Sequence, residues 1–91
     1  MQNWVFKTVS VEWKEGTARL ELSSDGTLKI IRAKGLSELR LNRKSSVNTG
    51  VSVKHCEGPT KLQGGEYSLV IEMQSGDKIE LVARQFEMPS N

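Results

Sequence analysis

Glycine stands at positions 16, 26, 35, 50, 58, 64, 65 and 76, and between these turn residues run short segments in which apolar and polar side chains alternate. Punctuation at that spacing leaves no room for helices of ordinary length, whereas strands of about five to eight residues fit well. The chain therefore reads as all-β. With 91 residues and 36% hydrophobic content it suits one domain, spanning 1–91, because so short a chain cannot build two independent cores.

Three hairpins set the expected framework. A two-residue loop at Glu15-Gly16 pairs Trp13 with Ala18, Val11 with Leu20 and Val9 with Leu22, giving one apolar face, with Glu12 against Arg19 on the other. A three-residue loop at Ser24-Asp25-Gly26, its last position left-handed, pairs Leu22 with Leu28, Leu20 with Ile30 and Glu21 with Lys29. An odd-numbered loop around Ser75-Gly76-Asp77 aligns Met73 with Ile79, Ile71 with Leu81 and Leu69 with Ala83, which sets Val70 opposite Val82 and Glu72 opposite Glu80. Between the hairpins, Leu36–Asn42 reads as a short strand in preference to a helical turn. Val51, Val53 and His55 alternate as a strand, and GPTKLQGG reads as a loop. Residues 86–91 lack alternation and are expected to fray. The architecture is about seven antiparallel strands, mostly a meander, forming a small barrel or a flattened sandwich.

Chemistry finds few footholds. His55-Cys56 suggests a thiol nucleophile, but neighbours on a strand point to opposite faces: His55 is expected on the side of Val53, and Cys56 on that of Lys54. One His and one Cys fall short of a zinc site. Glu72 and Glu80 lie on an outward face, and the glycines of GPTKLQGG match no phosphate-binding pattern. The expectation is a non-enzymatic protein without cofactor or metal, thiol chemistry at Cys56 being the alternative. A sole cysteine suits a reducing compartment, the opening residues do not resemble an export signal, and no apolar run is long enough for a membrane helix. A soluble, cytoplasmic domain is expected.

Charge is unevenly spread. Residues 29–61 carry eight Lys/Arg and two Asp/Glu, a net of +6 between ends of −1 and −3. Such a basic patch steers charged partners. Arg32, Lys34, Arg40, Arg43, Lys44, Lys54 and Lys61 are the candidate phosphate contacts if the partner is nucleic acid, although no aromatic residue lies among them for base stacking. The stretch ELRLNRKSSVNTG is expected to be a strand end entering a solvated loop. Trp4, Phe6, Ile31, Val70 and Val82 fall on the face opposite the core in these registers. Either a β-bulge near Lys7 returns Trp4 and Phe6 to the core, or these residues form an exposed patch for a protein partner. The leading expectation is a binding module making protein–protein contacts through those five residues, as a homo-oligomer or a subunit of a larger assembly; nucleic-acid binding is the alternative.

Overall fold

The computed structural model describes residues 3–43 and 52–89. Among them are six strands and no helix: β1 (Val5–Glu12), β2 (Thr17–Ser24), β3 (Thr27–Asn42), β4 (Val53–Lys61), β5 (Tyr67–Met73) and β6 (Lys78–Glu87). They form one antiparallel sheet in the order β1-β2-β3-β6-β5-β4. The chain is thus all-β, with six strands where about seven were expected, in a sheet that is not closed into a barrel. Among the described residues its two edges, β1 and β4, meet at their starts, where Val53 N–H donates to the Trp4 carbonyl at 2.8 Å and Val5 bridges Ser52.

An open sheet must still bury its apolar face, and the long strand β3 is the device that does so. Its first half pairs with β2 as far as Lys34, while from Arg32 to Asn42 it pairs with β6. The bend between the halves falls at Gly35, whose φ of +66° suits glycine and where a Cβ would lie 3.0 Å from Cβ and Cγ of Arg84. Both strands change phase there. Ala33 faces Phe86 on the core side, and three residues on Leu36 faces Ala83 on the core side again. The two halves of the sheet thereby close over a shared core of Leu20, Leu22, Ile31, Leu69, Ile71 and Leu81, each 0% exposed.

Turn geometry sets the registers, and it differs from expectation at all three hairpins. Asp25 and Gly26 both have positive φ, 51° and 77°, so they form a two-residue loop with Ser24 opposite Thr27. Such a loop matches the natural twist of the flanking strands. The one-residue difference from the expected three-residue loop turns β3 over: Ile31 and Ala33 face inward, and Leu28 is exposed. The first turn holds four residues, Trp13–Gly16, with Gly16 N–H donating to the carbonyls of Glu12 at 2.9 Å and Trp13 at 3.2 Å. Val11 is therefore opposite Ala18, and Trp13 lies outside the strand. The last turn is odd-numbered as expected but lies one residue earlier, at 74–76, with Met73 N–H donating to Asp77 O at 2.8 Å, so Leu69 meets Leu81 and Ile71 meets Ile79.

Leu36–Asn42 is strand, as expected. The segment expected as the loop GPTKLQGG is partly β4, which continues to Lys61 before a turn closed by Leu62 N–H donating to Glu66 O at 2.8 Å. The expected frayed tail is ordered through Glu87: Phe86 packs on the core, and Lys34 Nζ lies 3.1 Å from Glu87 Oε2. The seat for Phe86 opposite Ala33 comes from β3, remote in sequence, which is why local alternation could not reveal it.

Candidate functional site

The expected apolar patch resolves into core and background. A β-bulge between Phe6 and Thr8 shifts the phase of β1, leaving Trp4 8% exposed and Phe6 packed against the core. Lys29 Nζ sits over the Trp4 ring, 5.8 Å from its centroid. Ile31 is 0% exposed because of the two-residue turn. These three are therefore not available as surface anchors. Val70 and Val82 do lie on the outer face, half-buried between polar neighbours: Val70 is opposite Glu80 and Glu57, and Val82 is opposite Ser68.

The titratable candidates are dispersed in the same way. Glu72 faces Lys78 and His55, and Glu80 faces Arg40, so the expected like-charge pair is not formed. A bulge between Val53 and His55 exchanges the faces expected for His55 and Cys56. Cys56 packs inward beside Ile71, and His55 is exposed with Nε2 at 3.5 Å from Glu57 Oε1. Burial pushes the Cys56 thiol above its ordinary value of 9.0, so it is protonated at neutral pH and a poor nucleophile. Among the described residues no cluster of three His, Cys, Asp or Glu is placed to hold a metal ion, and no helix is long and apolar enough to cross a membrane.

The basic stretch divides among several surfaces. Arg32 and Lys34 lie on the outer face of the first half of β3, next to β2. Lys34 pairs with Glu87, and Arg32 is opposite Arg19, which itself bonds Glu21 at 3.0 Å. Arg40 lies beyond the bend, 3.8 Å from Glu38, and Arg43 is exposed just past β3. Lys54 and Lys61 are on β4, separated from β3 by two intervening strands, roughly 14 Å across the sheet. Lys44 and residues 45–50, expected as a solvated loop, lie outside the described residues.

What gathers instead is an apolar seam along β1. Two spaces lie between this strand and the second half of the sheet, lined by β1 with no residue from the body of β2. Near the start, Phe6 and Val9 enclose a cavity of about 240 Å³ with Leu41, Met73 and Ile79, its mouth carrying Lys7, Arg43, Asp77 and Lys78. Near the end, Val11 and Trp13 line a groove of about 680 Å³ with Leu36 and Leu39, flanked by Glu38 and Arg40. Trp13 is 91% exposed at its rim. The turn that carries it is held in place, because the Gly16 carbonyl accepts Leu36 N–H at 2.8 Å just past the β3 bend. Val11 and Leu41 add further exposed apolar surface at 38% and 55%.

Sequence reasoning missed this surface because Trp13 keeps the inward parity of Val9 and Val11. The signal was Trp-Lys-Glu-Gly itself, which fits a four-residue turn ending in glycine and would have displaced Trp13 from the strand. No protein-family model, curated protein or solved structure matches this chain.

Proposed function

We propose that the chain is a non-enzymatic binding module, and that its contact surface is the seam along β1 rather than the five residues first singled out. The observation that carries this is Trp13: a large aromatic side chain 91% exposed, on a turn tethered to β3, at the rim of an apolar groove. A tryptophan held in water by a fixed backbone adds little to folding. Against a partner it removes a large apolar area at small entropic cost, and such residues dominate binding energy. Leu36, Leu39, Val11 and Leu41 supply the apolar floor, and Glu38 and Arg40 a polar rim of both signs. A reducing, cytoplasmic setting belongs with this proposal and suits a sole cysteine kept as a half-buried thiol.

The test places a photoreactive benzoyl-phenylalanine at position 13 or, as comparison, at Val70, in cells that make the protein. One adduct of defined mass is expected at position 13, competed by unlabelled wild-type chain and missing at position 70. Equal labelling at the two positions, or none at 13, overturns the proposal.

Phosphate contact is a second reading with one observation in its favour. Ser10, Arg19 and Arg32 form a row across β1, β2 and β3, which sets two guanidinium groups on neighbouring strands of the outer face as donors to an anion. A nucleic acid held there would lose affinity on Arg32→Ala, with a shallower dependence of log K on log salt, by about one unit of slope per contact.

A further inference from the structure

Natural sheets guard their edges, and the two edges here are guarded unequally. β4 carries Pro59, two bulges, and lysines at Lys54 and Lys61. Past the bulge at Lys7, β1 presents Thr8-Val9-Ser10-Val11-Glu12 in regular pairing with β2 on one side and, among the described residues, no strand on the other. Alternating β-branched residues on an unpaired, regular edge are suited to accepting another strand.

We propose that the occupant of this edge is β1 of a second copy of the chain, paired antiparallel about a two-fold axis at Ser10. This rests on the seam being a contact surface and specifies its partner. The grounds are self-complementarity. A two-fold interface must match its own surface, so a projection on one side of the axis needs a recess equally far on the other. Trp13 lies three residues beyond Ser10, and Lys7, at the mouth of the cavity formed by Phe6, Val9 and Leu41, lies three residues before it; each is about 10 Å along a strand. Both are on the inner side of β1, since Trp13 lines the groove with Val11, and Phe6 and Val9 line the cavity.

Pairing with Ser10 opposite Ser10 sets Val9 opposite Val11 of the partner on the inner face, in both directions. Trp13 of each copy then reaches the other's cavity, whose volume of about 240 Å³ accommodates a large ring; for scale, a ring the size of benzene fits a cavity of ~150 Å³. Lys7 and Arg43 at the mouth place cations near the indole, a favourable arrangement for an aromatic face. Glu12 comes opposite Thr8 of the other copy, and no like charges meet at the axis. A register shifted by two residues, with Val9 opposite Val9, would carry Trp13 past the cavity to a place opposite Val5, where Ser52 already bridges the edge. The dimer fills the space that the open sheet leaves along β1.

The interface is a short ribbon with one aromatic anchor on each side, so it is expected to be reversible and concentration-dependent. Sedimentation of the full chain across micromolar concentrations should show a monomer–dimer equilibrium. Trp13→Ala and Val11→Lys should each weaken it at least tenfold while the far-UV circular dichroism is unchanged. Register is tested in a Cys56→Ser background. Ser10→Cys should oxidise to a disulfide-linked dimer, because its two copies abut on the axis; Thr8→Cys and Glu12→Cys should cross-link when mixed but not separately. A chain that stays monomeric, a dimer indifferent to Trp13→Ala, or a Ser10→Cys variant that does not cross-link overturns the proposal. Should the chain be monomeric while the photoreactive group at position 13 labels a different polypeptide, self-pairing fails and the contact role of the seam survives; if that label fails as well, both fall.

Discussion

The two tryptophans offer the sharpest test of the fold, because the structure gives them opposite environments. Trp4 is 8% exposed in the core with Lys29 Nζ 5.8 Å from its ring, whereas Trp13 is 91% exposed on a turn. Trp4→Ala removes a buried aromatic side chain, a change that costs about 3–5 kcal/mol, plus about 0.5–1 kcal/mol for the half-buried cation near its ring. In a domain of this size each kcal/mol moves the thermal midpoint by roughly 4–8 °C, so a fall of about 15 °C or more is expected. Trp13→Ala should stay within about 0.5 kcal/mol of wild type, as surface substitutions do. Urea or thermal unfolding followed by far-UV circular dichroism, in dilution where the chain is monomeric, measures both. Fluorescence gives an independent check: Trp13→Phe leaves Trp4 alone, with blue-shifted emission resistant to acrylamide, and Trp4→Phe leaves a red-shifted, readily quenched signal. A Trp13→Ala cost above about 2 kcal/mol with a mild Trp4→Ala would refute the bulge at Phe6–Thr8 and the four-residue turn together.

Three further outcomes are expected. Ile31→Ala should cost about 2–4 kcal/mol and Ile30→Ala distinctly less, because Ile31 is 0% exposed and Ile30 is only half-buried; chemical denaturation that ranks them the other way would restore the three-residue turn. Cys56 should alkylate slowly at neutral pH. Between 9.0 and its higher folded value the unfolded chain releases the thiol proton while the folded chain holds it, so stability should fall with rising pH there, and Cys56→Ser should flatten the decline; rapid stoichiometric labelling at pH 7 would contradict this. Phe86→Ala should cost about 1–3 kcal/mol, since Phe86 packs on the core, and an unchanged midpoint would show that β6 ends earlier.

Which face each strand buries was legible wherever alternation runs unbroken. Ala18, Leu20 and Leu22, and likewise Leu69, Ile71, Met73, Ile79, Leu81 and Ala83, face inward as a period of two requires. Exact pairing was less legible, because sliding a hairpin by two residues keeps every side chain on its face; only turn length separates the registers, and loops of two and four residues both satisfied the first hairpin. In LKIIRA apolar residues occupy both parities, so alternation could not orient β3. Asp25-Gly26, with the residue types that two successive positive φ values favour, was the deciding signal. The bulge at Phe6–Thr8 is the one foreseen near Lys7 as an alternative to an exposed patch, because Trp4 and Phe6 stood on the wrong parity, whereas the bulge at Val53–His55 moves the phase without a mark in the pattern and so reversed the expectation for Cys56. The contact surface depends on all of these together. Trp13 has the composition of a core residue, and only the turn that ejects it makes it a surface one.

The account turns on the unpaired edge of β1 being covered when the protein is at work. Peptide-level hydrogen exchange on the full chain, compared between dilute and concentrated samples, reads this directly. Slower exchange on concentration is expected for the peptide spanning residues 7–13, with β4 and the outer face around Val70 and Val82 unchanged. Exchange of 7–13 that ignores concentration, with protection appearing at Val70 and Val82 instead, would contradict it.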